Sequence, residues 1–187
     1  MRRLLFALLP LAAAQAADEA HEHHDEHASL AAHEHGAAQL NVALEGQRLE
    51  LALESPAMNL VGFEHAAVST SDKAAVARAQ QHLQTPLALF GIAAAAGCVI
   101  TSHELHSPLF EAHAEEHEEH DKEHGAEHSD IDANYVLTCS QPQALAAIDL
   151  SELFKLFPAT DKIQVQLIGP NGQQGAELSA AQPRLSF

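Results

Sequence analysis

Basic side chains are scarce in this chain of 187 residues: nine Lys+Arg stand against 26 Asp+Glu, for a formal net charge of −17. A chain this acidic repels phosphate, which excludes a nucleic-acid binder. Tryptophan is absent and aromatics are few, yet hydrophobic residues reach 47%, and the length suits one domain with a real core. Cysteine and methionine number two each, too few for the thiolate or thioether sites that soft Cu(I) requires. The apolar run at residues 4–14 (LLFALLPLAAA) is too short to anchor the chain across a bilayer. A Gly-rich phosphate loop is missing, and no Ser nucleophile with a placed His and Asp can be picked out, so the chain is read as a non-enzyme.

Histidine is what the chain has in excess, with 15 residues, and the excess is local. Residues 18–35 hold six acids, six His and no base, and residues 103–132 hold eleven acids, seven His and one Lys. These stretches carry −6 and −10 of the −17, which leaves the remainder nearly neutral. The chain therefore reads as a nearly uncharged domain bearing two acidic, His-loaded segments.

Arg2 and Arg3, the apolar run and the small residues of Ala14-Gln15-Ala16 have the order of a cleaved secretory signal. Residues 1–16 are thus predicted to be a signal peptide, with a periplasmic mature chain starting near Ala17 and no Cys at the junction to carry a lipid anchor. Residues 17–36 form a His-rich N-terminal segment, and residues 37–187 form the folded domain with a His/Asp/Glu-rich loop over 105–132. In an oxidising compartment a cysteine pair is read as a disulfide. If the β-like runs at 98–102 and 133–139 pair antiparallel, one register sets Cys98 against Cys139, Ile100 against Leu137 and Ser102 against Tyr135. The His-rich stretch then becomes the hairpin loop, with the bridge expected to fix its base.

Alternation over residues 38–54, with Glu45-Gly46-Gln47 as the turn, predicts a hairpin ended by Ser55-Pro56. Residues 57–63 lack a clear period and read as ordered loop. A helix is expected over 71–83, capped by Thr70 or Ser71, with Ala75, Ala79 and Leu83 on one face. A short apolar helix should follow from Pro86 to Ala96, stopped by Gly97, and another should span 150–157. Ile163, Val165 and Leu167 alternate as a strand, Pro170-Asn171-Gly172 turns the chain into 173–178, and a last strand covers 185–187. Hairpins with short helices between them predict an α+β single domain with an antiparallel sheet.

His113, His117, His120, His124 and His128 recur at intervals of four, three, four and four, an arc of roughly 80° on one helix face. Imidazoles four residues apart on a helix can share one metal ion. The acids around them attract a cation, and a metal can order such a loop. His21, His23, His24 and His27 have the spacing of a chelating tail. His33 and His35 abut the first strand and can be held by the fold, with His65 able to complete a site. His82 is expected on the surface. His103 and His106, where the loop leaves the sheet, can join either the loop or a core site. Imidazole with carboxylate suits Zn(II), Ni(II) and Cu(II), and Zn(II), in more than one equivalent, is the leading assignment.

The strings His33-Glu34-His35-Gly36, Ser55-Pro56-Ala57-Met58-Asn59-Leu60-Val61-Gly62-Phe63-Glu64-His65 and Leu156-Phe157-Pro158 resemble the ZrgA-type periplasmic proteins, which pair a signal peptide with a His/Asp/Glu-rich insertion. That resemblance implies a zinc-binding accessory to high-affinity zinc import, working beside an ABC-type importer whose solute-binding component is the implied partner. It does not identify the coordinating residues. Two other functions fit the composition: a periplasmic buffer or resistance protein for Zn, Ni or Cu(II), and an interaction module whose His segments sense acid.

Overall fold

Strict alternation in four long segments builds the molecule. In the computed structural model, which describes residues 34–110 and 129–187, β1 (Ala37–Glu45) and β2 (Arg48–Pro56) form the expected hairpin. Leu40, Val42, Leu49, Leu51 and Leu53 turn to one face and are buried. β3 (Cys98–His106) and β4 (Asp130–Cys139) form the second hairpin, and β6 (Lys162–Gly169) with β7 (Gly172–Ser179) the third. They assemble into one six-stranded sheet in the order β3-β4-β2-β1-β6-β7. A short β5 (Ala147–Asp149) pairs with β8 (Arg184–Ser186) in a separate two-stranded sheet. The domain is mostly sheet with a few short helices.

The sheet is mixed, not wholly antiparallel. β1 and β6 run parallel, with Ala37 beside Lys162 and Val42 beside Leu167. Alternation determines which face a side chain takes but not which strand lies alongside, so this neighbour could not be read from either segment.

The buried face is closed by helices. α1 (Ala57–Val61) occupies part of the stretch expected to be loop. α2 (Thr70–Leu83) is capped by Ser69, one residue before the expected caps, in a reciprocal capping box with Asp72. That pairing satisfies two orphan backbone donors where a hydroxyl alone satisfies one. Val76, Ala79 and Leu83 are its buried face. The helix expected over 86–96 is broken into α3 (Pro86–Leu89) and a 3₁₀ turn at Ala94–Ala96. Gly91 interrupts it at φ +60°, where a Cβ would come within 2.6 Å of the Asp149 Cβ. α4 (Ser151–Leu156) supplies Leu153 and Phe154 to the core.

Tyr135 of β4 ties the layers together. Its hydroxyl donates to the Leu83 carbonyl at 2.7 Å and its ring meets Phe90 edge-on at 5.5 Å; burial pushes the phenol well above its usual range.

The disulfide Cys98–Cys139 is present, but two expectations attached to it need correction. A β-bulge follows Ile100, so Ser102 lies opposite Val136, and His103 takes the place opposite Tyr135. Thr101 is the extra residue, and its hydroxyl donates to the Val136 carbonyl at 2.9 Å. Nor does the bridge sit at the base of the His-rich loop. It joins the first residue of β3 to the last of β4, about 26 Å along the strand from His106.

Candidate metal centre

The strings that mark the sequence meet in space. Gly36 turns the chain into β1 at φ +85°, a left-handed conformation that favours glycine, and a Cβ there would press on the Asp161 carboxylate, 2.5 Å from Oδ2. Asn59, almost fully buried on α1, holds this turn. Its Oδ1 accepts from the Gly36 N–H at 2.7 Å, and its Nδ2 donates to the Ala37 carbonyl at 2.9 Å and to Ser55 Oγ at 3.2 Å. Replacing Asn59 with alanine strands the buried Gly36 N–H and the part-buried Ala37 carbonyl. Asn59→Ala is therefore expected to cost about 2–3 kcal/mol, measured as a lower urea midpoint at unchanged slope. An unaltered midpoint would remove Asn59 from this role.

The turn delivers His35 to Glu64. The two side chains lie 3.0 Å apart, Nε2 to Oε1, with His35 half exposed and Glu64 largely covered. Glu64 is carried by the segment beyond α1, which leaves that helix at Gly62 in a left-handed turn. Its backbone carbonyl accepts from Ser129 Oγ at 2.9 Å, and the Ser129 carbonyl accepts from the Ala57 N–H at 2.8 Å. Lys162 reaches Glu34 at 3.1 Å; that hydrogen bond first, and the carboxylate charge second, hold the ammonium above its ordinary pKa.

His65 is exposed and stacks on Phe63 at 4.7 Å, with Nδ1 3.0 Å from the Ala66 carbonyl. Thus Glu64, which did not stand out in that string, engages His35 directly. His103 and His106 lie exposed on β3. His82 is half-buried, edge-on to Phe157 at 6.0 Å, instead of on the open surface. His21, His23, His24, His27 and His33, and His113, His117, His120, His124 and His128, lie outside the described residues. Among the described residues no three His, Cys, Asp or Glu side chains are gathered closely enough to hold a metal ion.

The arrangement is nevertheless directional. Register places Gly36 at the start of β1, Pro56 opposite Asp130, and His106 opposite Asp132. The exit of the N-terminal segment and both stems of the 111–128 loop therefore share one end of the sheet. The molecule is a sheet domain that presents imidazoles and carboxylates at that end. A model described as the ZrgA family zinc uptake protein matches residues 32–187, and the chain belongs to that family. No curated protein matches it.

Proposed function

We propose that the chain is a periplasmic zinc-binding protein that collects Zn(II) through its two His-rich segments and passes it to a high-affinity importer. Membership of a zinc uptake family supports the metal and the process. The observation that carries the reading is the common attachment of both segments. Glu64 lies between them, touching His35 through its carboxylate and Ser129 through its carbonyl. Ions held by either segment are thus delivered to the same end of a rigid sheet.

The role is binding rather than catalysis. Exposed imidazoles exchange ions quickly, which suits collection and handover. The signal-like residues 1–16 and the disulfide suit an oxidising periplasm, and the solute-binding component of an ABC importer is the natural recipient. Calorimetric titration of the full mature chain with zinc should give more than one equivalent; fewer than one sinks the proposal.

Acid should release the metal. A ligating imidazole must be neutral, and histidine ordinarily titrates near about 6.5. For a site with two imidazoles, affinity should be about a hundredfold weaker at about pH 5.5 than at about pH 7.5. Competition against a chelator at both pH values measures this, and equal affinities contradict imidazole ligation.

A further inference from the structure

The bulge in β3 changes which residues face outward. Continued from Cys98–Cys139 without a break, the register would put Glu104 opposite Ala133 and His106 opposite Ile131, both buried residues. The extra residue at Thr101 reverses this. Leu105 now lies opposite Ala133 and packs on the core, while His106 lies opposite Asp132 on the open face. Bulges are a standard device for re-aiming side chains beside functional sites.

Asp132 is itself opposite Glu54 of β2. His106, Asp132 and Glu54 therefore form one cross-strand row on three adjacent strands, at the end where the His-rich loop joins. Neighbours in such a row have Cβ atoms about 4.5–5.5 Å apart. Like charges directly opposite each other destabilise a sheet, and Asp132 and Glu54 are such a pair. No hydrogen bond or ion pair engages either of them among the described residues, and beyond Glu54 the row continues with the neutral Gln39 and Gln164. The next row, Glu104, Asn134, Ala52 and Asn41, borders a groove of about 470 Å³ on this face. Among the described residues His106 and Glu54 are exposed and Asp132 is partly exposed, which leaves the three side chains room to change rotamer.

We propose that His106, Asp132 and Glu54 form a zinc site on the open face of the sheet, with Asp132 central and the other two closing over it. The inference rests on the reading of the chain as a zinc binder. One imidazole and two carboxylates, with water completing four-coordination, are suitable ligands for Zn(II). The side chains do not converge as they stand. Rotation about χ1 and χ2 brings them together, and relief of the Asp132–Glu54 repulsion favours it. The site lies at the root of the loop, where an ion collected by the loop first meets a rigid scaffold.

The test uses the full chain, titrated with zinc against a competing chelator, alongside His106→Ala, Asp132→Asn and a control, Glu104→Gln. Thermal unfolding verifies that each variant is folded. The expected result is one ion fewer for His106→Ala and for Asp132→Asn, and no loss for the control. The ring resonances of His106 should also move on zinc addition in the parent chain and stay fixed in Asp132→Asn. If either variant keeps the full complement while the parent binds several ions, this site is overturned and the zinc-binding reading stands. A parent chain that binds no zinc overturns both.

Discussion

Deleting residues 111–128 is expected to remove more than half of the zinc equivalents bound by the full chain while leaving the fold intact. The deleted stretch holds five of the fifteen histidines and nearly a third of the acids, and it alone has the spacing that would set its imidazoles on one face of a helix. The cut is placed to spare the stems. Ser107, Leu109 and Ser129 are all buried, and Ser129 bonds to Glu64 and Ala57. Closing Phe110 to Ser129 with a short linker shortens a loop, which changes closure entropy by about 1 kcal/mol or less. The thermal midpoint should shift by no more than about 4 °C. Calorimetry gives the stoichiometry, and an unchanged value would falsify the assignment of the loop as the main collector. Zinc remaining in the deleted protein would reside in the N-terminal histidines and on the sheet.

Replacing both cysteines with alanine should have the opposite profile, with stability lost and zinc capacity kept. The bridge closes a separation of 41 residues, worth about 4 kcal/mol in the chain-entropy model, an upper figure because strain and residual structure reduce it. For a domain of this size that corresponds to a midpoint lowered by roughly 10 °C. Alanine is chosen over serine because Cys139 is fully buried, and a hydroxyl there would add an unpaired polar group. Since the bridge lies at the far end of the β3–β4 hairpin from the loop, the number of zinc ions bound should not change. A parallel fall in both quantities would mean that the two ends of the hairpin are coupled.

The strands were legible where alternation runs uninterrupted, as in Leu40-Val42-Leu44 and Leu49-Leu51-Leu53. The cysteine pairing followed from compartment and register together. What escaped was set by single residues or distant partners. Thr101 adds one residue to β3 and reverses every side chain after it, and no local pattern announces a bulge. α1 is five residues long, too short to display a helical period. Ser69, Thr70 and Ser71 can each cap a helix, and only Asp72 decides between them, because its side chain returns to Ser69. His35 and Glu64 are 29 residues apart, and their contact depends on Asn59 holding the Gly36 turn. Asn59 and Glu64 both stood within the string at residues 55–65, but their roles became visible only with the strands in place.

The position of the disulfide has a consequence for association. β3 is an outermost strand, and beside Cys98 it exposes Val99 and Ile100. If that end frayed, β4 would offer a row of unpaired amides and carbonyls next to loose apolar side chains, a template for strand exchange with a second chain. The covalent link prevents the strand from peeling at its free end. For this protein, oxidation therefore guards against aggregation as well as adding stability.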